Sequence, residues 1–163
     1  MALRATVVPV TAFQQNCSVI WSAETHAGAV IDPGGDLEQI LAVVADGGVN
    51  LTKILLTHAH IDHAGATQAL AERFNLPIEG PHPDDQFWID LLPEQARMFG
   101  FQPVAKFTPT RWLYQGDTVQ VGPEVLGVYH CPGHTPGHGP TSTFGQERAS
   151  NPFVGDRALQ AGR

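Results

Sequence analysis

Apolar positions along this chain fall into two periods. Short β-branched or alternating runs predict strands at residues 5–10, 17–21, 29–31, 53–56, 77–79, 112–114, 118–121 and 125–129. Turn chemistry separates them: residues 11–16, Asp32-Pro33-Gly34-Gly35, Gln115-Gly116-Asp117 and Gly122-Pro123. Helical spacing takes over at Leu37, Ile40, Leu41 and Val44, where Asp36 is placed as an N-cap with Gln39 three residues on, and Gly47-Gly48 ends the helix. It returns after Asp62 as a stripe of Ala66, Ala69, Leu70 and Phe74, closed by Asn75 and Pro77. Residues 84–100 predict two short helices or a helical hairpin, with Pro93 in a first turn and the aromatics Phe87 and Trp88 in the core. Strands from both halves of the chain, with helices between them, predict an α/β fold of packed sheets covered outside by helices.

The densest chemistry interrupts this pattern at Thr57-His58-Ala59-His60-Ile61-Asp62-His63-Ala64-Gly65. His58 and His60 follow the apolar run Ile54-Leu55-Leu56 two positions apart, the period that puts side chains on one side of extended backbone. Asp62 and His63 then fall at a helix N-terminus, where the macrodipole favours a carboxylate and disfavours imidazolium. Several imidazoles at one strand end need partners, and a cation is the partner they fit. Nitrogen and oxygen donors of this kind suit Zn²⁺, with iron and manganese as alternatives. His134, in the Gly/Pro-rich turn after the 125–129 strand, adds the third nitrogen that a catalytic site requires. His26, His82 and His130 read as surface or turn residues.

Composition narrows the function classes. At 163 residues, with 42% apolar and 15% charged side chains, the chain reads as one ordinary globular domain, residues 1–163. A net charge of −7 argues against a nucleic-acid partner. Two cysteines, Cys17 and Cys131, are too few for a disulfide framework, and both are expected as buried thiols. No leader-like apolar stretch opens the chain and no run is long enough to cross a bilayer, so a cytoplasmic location with no membrane partner is expected.

The Thr-His-x-His-x-Asp-His-x-Gly stretch and Cys131-Pro132-Gly133-His134-Thr135-Pro136-Gly137-His138 together resemble the metallo-β-lactamase superfamily, in particular its small bacterial glyoxalase-II-like branch. Phe13-Gln14-Gln15-Asn16-Cys17, Ile31-Asp32-Pro33-Gly34-Gly35-Asp36, Arg111-Trp112-Leu113 and Gly116-Asp117 add to the likeness. The resemblance implies a four-layer αββα sandwich with a two-metal site. His58, His60 and His134 would hold one ion, and Asp62 and His63 the other, with Asp62 also a proton carrier. It further implies hydrolysis of a small-molecule 2-hydroxyacyl thioester, such as S-D-lactoylglutathione, by a metal-bound hydroxide on one or two zinc ions.

The family pattern adds a bridging aspartate and a last histidine in a late Pro-Gly-His-Gly-Pro turn. Here Pro136-Gly137-His138-Gly139-Pro140 fuses the first such turn with the last, a junction that predicts loss of the intervening segment, the bridging aspartate and part of the second sheet. His138 is then either the last ligand or a structural turn residue, and Asp156 is an ordinary surface acid. Two other functions stay open: a metal-binding but catalytically impaired remnant of the hydrolase, or a mononuclear iron persulfide oxygenase.

Overall fold

The structure, a computed structural model, describes residues 2–131. The chain divides into two compact units after Val128, and of the second only residues 129–131 are described. His134, His138 and the junction at 136–140 lie outside the described residues.

The first unit is built on a five-stranded sheet in sequential order. Strands β1 (Leu3–Val10), β2 (Gln15–Ser22) and β3 (Ala27–Ile31) form an antiparallel meander. Helix α1 (Leu37–Asp46) then crosses over to β4 (Asn50–Leu55), which runs parallel to β3, and α2 (Ile61–Ala64) with α3 (Thr67–Phe74) leads to the short parallel β5 (Ile78–Glu79). A 3₁₀ turn, Pro83–Asp85, continues into α4 (Gln86–Asp90) and α5 (Leu92–Phe99), and a hairpin of β6 (Thr118–Val121) and β7 (Glu124–Gly127) forms a second sheet.

Strand periodicity sorts the two cores. Val19, Trp21, Val30 and Ile54 point to the face covered by helices, where Ile40, Leu70, Ile89, Leu92 and Ala96 meet them. Their neighbours Ile20, Ala29 and Leu55 point the other way and pack on Leu113, Val119 and Val121 of the hairpin side. Among the described residues every buried apolar side chain of a helix belongs to the first cluster, so these residues form a helix layer and two sheets, the second of two strands.

Five expectations change. Asp36 does not cap α1: it adopts a left-handed conformation, and its carboxylate accepts instead from Thr11 N at 2.7 Å, tying the helix start to the β1–β2 turn. The expected single helix after Asp62 breaks at Gly65-Ala66, which shifts its phase. Thr67, Leu70 and Ala71 face the core, while Ala69 and Phe74 are exposed. Residues 112–114 are no strand, because β5 reaches only Glu79 before Pro81 removes a ladder donor. The chain follows it instead through irregular bonds such as Gly80 N to Arg111 O (2.7 Å) and Leu113 N to Pro81 O (3.1 Å). In α4 and α5 the inward spacing is Ile89, Leu92 and Ala96, so Phe87 is exposed and Trp88 only half-buried. Cys17 is buried as expected, but Cys131 is exposed.

Candidate metal centre

Parallel pairing puts the ends of β3 and β4 side by side, with Ile31 opposite Leu55. The segments leaving those ends therefore meet. Asp32 N donates to Leu55 O at 3.0 Å, and the Asp32 carboxylate turns toward the loop that follows β4. Its Oδ1 accepts from Thr57 N (2.8 Å), and its Oδ2 accepts from Thr57 Oγ1 (2.5 Å) and His63 Nδ1 (2.8 Å). An ionised carboxylate only accepts, so His63 carries its proton on Nδ1 and keeps the Nε2 lone pair for a ligand. Thr57 has given its hydroxyl proton to Asp32, and its oxygen lies 3.0 Å from His58 Nδ1. That oxygen must accept there, so His58 is likewise protonated on Nδ1 and open at Nε2. One buried carboxylate thus sets the tautomer of two histidines. Gln15, also buried, has its amide Nε2 3.0 Å from the same His63 nitrogen and its Oε1 without a partner, so exchanging the two ends of the amide turns a donor–donor contact into an acceptor for Nδ1–H.

The four residues of the motif gather at this corner. The His58 ring centroid lies 3.9 Å from that of His63 and 4.8 Å from that of His60, and His63 Nε2 is 3.6 Å from Asp62 Oδ2. Asp62 is buried and the three imidazoles are half-buried. Burial, followed by the neighbouring His63, pushes His58 down from 6.5 to about 4, which keeps it in the neutral form that ligates. Helix α2 is a single turn, too short for the macrodipole to orient His63; the Asp32 hydrogen bond does that instead. Trp88 packs edge-on against His60 at 4.6 Å. Asp85, whose carboxyl is held above its ordinary range by burial, accepts from Ala59 N at 2.9 Å, and Gln95 Oε1 accepts from Ile61 N at 3.0 Å.

The corner is rigid because the backbone packs without side chains between. A Cβ on Gly34 would stand 1.5 Å from Asp62 O, and one on Gly65 would stand 2.6 Å from Gly34 O. Ala66 N donates to Pro33 O at 2.9 Å. The loop after β3 is therefore pressed into the turn that carries Asp62 and His63, and this contact breaks the helix at Gly65.

Imidazole nitrogens preset to present Nε2, next to a buried carboxylate, form a donor set that fits a divalent cation such as zinc, iron or manganese. His58, His60, Asp62 and His63 are brought together as the motif implies. The ligand-capable atoms of Asp32, His58 and His63 also lie within 4.8 Å of one another. Asp32 is nonetheless better placed as a supporting residue, because both its oxygens are already engaged by Thr57 and His63. Sequence reasoning took Asp32 as a turn former and as part of the family likeness, with no role at the site. The signal that would have found it is an acid directly following a strand that pairs in parallel with the strand before the histidines.

Residues 10–146 match the family described as the metallo-beta-lactamase superfamily. Hydroxyacylglutathione hydrolase GloC of Haemophilus influenzae is 41% identical over 157 residues, covering 96% of this chain and 72% of its own. The hydroxyacylglutathione hydrolase of Hahella chejuensis is 32% identical over 159 residues, covering 96% of this chain and 52% of its own. A protein crystallised in a di-iron-bound form is 34% identical with a TM-score of 0.68, covering 82% of this chain and 64% of that one. Among the described residues no helix is long and apolar enough to cross a membrane.

Proposed function

We propose that this chain, which belongs to the metallo-β-lactamase superfamily, is a zinc-dependent hydrolase of a 2-hydroxyacyl thioester such as S-D-lactoylglutathione. The observation that carries the reading is the convergence of His58, His60, Asp62 and His63 on one strand-to-helix corner, with two of the imidazoles fixed as Nε2 donors. His58 and His60, with His134, would hold one cation; Asp62 and His63, with His138, would hold the other. The likeness to hydroxyacylglutathione hydrolases supports the thioester class.

A divalent cation bound here would supply Lewis acidity toward a carbonyl oxygen and a water acidified to near neutrality. The chain supplies the rest. Asp32 and Thr57 hold the tautomers of His63 and His58, so each ring keeps its Nε2 lone pair for a cation. Asp62 places a buried carboxylate beside His63 Nε2, where it would help hold a cation and take up a proton. Trp88 packs against the His60 ring at a centroid distance of 4.6 Å and limits its rotation. A thiol leaves as thiolate, with a pKa of about 8.5, and needs no acid from the protein. An amide would need one.

The test is loss of thioester absorbance with S-D-lactoylglutathione, alongside metal analysis. The expected result is turnover that a chelator abolishes and zinc restores, and that His60→Ala lacks together with its zinc. Stoichiometric zinc without turnover would instead identify a metal-binding remnant. Unchanged zinc content in His60→Ala would end the ligand assignment.

A further inference from the structure

Three backbone amides of the ligand loop, taken alternately, are each held by a side chain from a different element. Thr57 N donates to Asp32 Oδ1 at 2.8 Å, from the loop after β3. Ala59 N donates to Asp85 Oδ2 at 2.9 Å, from the 3₁₀ turn. Ile61 N donates to Gln95 Oε1 at 3.0 Å, from α5. The residues between these anchors are His58 and His60, and Asp62 follows directly. Gln95 is 5% exposed, and its Nε2 donates to Trp88 O at 3.0 Å, so both ends of a buried amide are committed. A buried polar side chain is costly to desolvate unless it is bonded, and here its bonds go to the ligand loop and to the residue that packs on His60.

We infer that Asp85 and Gln95 are positioning residues for the metal centre, clamping the loop amides so that His58, His60 and Asp62 are set before any cation arrives. The segment from the 3₁₀ turn to α5 thereby acts on the site without contributing a ligand. Such outer partners change metal affinity by about 10- to 100-fold when removed. The inference rests on the reading of this corner as a metal centre.

The experiment uses the full chain with Asp85→Ala, Asp85→Asn, Gln95→Leu and Gln95→Glu, beside Leu92→Ala as a packing control and His60→Ala as a ligand control. Amide hydrogen exchange in metal-free protein reads the clamp directly, and zinc affinity is read by competition with a chromophoric chelator. In the wild-type chain the Ala59 and Ile61 amides are protected. Asp85→Ala exposes Ala59 and weakens zinc about tenfold, while Asp85→Asn, which keeps an acceptor oxygen, restores most of both. Gln95→Leu likewise exposes Ile61 and weakens zinc, while Gln95→Glu, which keeps an acceptor for Ile61 N but loses the donor to Trp88 O, restores protection of Ile61 only in part. Leu92→Ala lowers the melting temperature and leaves zinc affinity unchanged.

Fast exchange of both amides in the wild-type chain would overturn the inference, and that reading survives even if a variant fails to fold. Unaltered zinc affinity in Asp85→Ala and Gln95→Leu, with zinc lost from His60→Ala, would also overturn it. Zinc retained in His60→Ala would instead sink the metal-centre reading, leaving the exchange data to decide the clamp.

Discussion

Asp32 has three donors aimed at one carboxylate, and through them it reaches two of the proposed ligands by separate routes. Asp32→Asn keeps the volume but replaces one acceptor by an N–H₂ group. At the Oδ1 position that group opposes the Thr57 amide, which cannot turn away; at the Oδ2 position it opposes both the Thr57 hydroxyl and His63 Nδ1–H, and the simplest relief there is for His63 to move its proton to Nε2, the nitrogen a cation needs. Zinc affinity should fall by about 10- to 100-fold while far-ultraviolet circular dichroism stays native. A competition titration measures the fall, and an unchanged dissociation constant would count against the tautomer argument.

Cys17 gives a second test at this scale. Burial, and then the Asp32 charge, push its thiol from 9.0 up to about 12. The folded state thus keeps a proton that the unfolded chain releases above its ordinary pKa. This contribution to stability is fully present below about pH 8.5 and is lost as pH climbs toward 12. Urea midpoints should therefore drop between pH 8 and pH 10.5, and Cys17→Ala should show a shallower drop.

At the scale of elements, the contact between the β3–α1 loop and the α2 turn decides the shape of the site. Gly34→Ala would drive a Cβ to 1.5 Å from the Asp62 carbonyl oxygen, a backbone atom that cannot swing aside. The loss should be at least about 3 kcal/mol, at the upper end for overpacking. Gly100→Ala offers the contrast: at φ 70 with nothing within 4 Å, it meets only the left-handed penalty of about 1 kcal/mol. Denaturant unfolding of the two variants measures both, and equal losses would refute the packing account.

The same contact explains what the sequence did not disclose. The histidine motif is local, so its ligands are readable from spacing, and strand faces follow from alternation of pairs such as Val19 and Ile20. The break at Gly65 is imposed by Pro33 and Gly34, thirty residues upstream, and no window around Gly65 contains them. Asp36 has the side chain of a cap, but its partner is Thr11, reached only once β1 and β2 have folded back. Asp32, Asp85 and Gln95 escape notice for that reason too: each meets the ligand loop through tertiary pairing.

At the scale of the molecule, one sheet serves two cores, and the proposed ligands leave from the end of β4, a strand that contributes to both. Metal binding at that end is therefore coupled to global stability, since a cation that binds only the folded chain stabilises it by about 2.7 kcal/mol at a hundredfold excess over its dissociation constant. The two proposed ions differ in what holds them. On the proposed assignment His58, His60 and His134 would offer three imidazoles to one, and the other, without the family's bridging aspartate that the sequence at 136–140 lacks, would be left to Asp62, His63 and His138. Metal-free chain titrated with zinc should then melt in two stages. The melting temperature rises first with one equivalent and again only at markedly higher zinc, while turnover of S-D-lactoylglutathione follows the second rise. His60→Ala should erase the first stage and Asp62→Asn the second. A single stage complete at two equivalents would mean that a seventh ligand closes the site and that the fused turn costs it nothing.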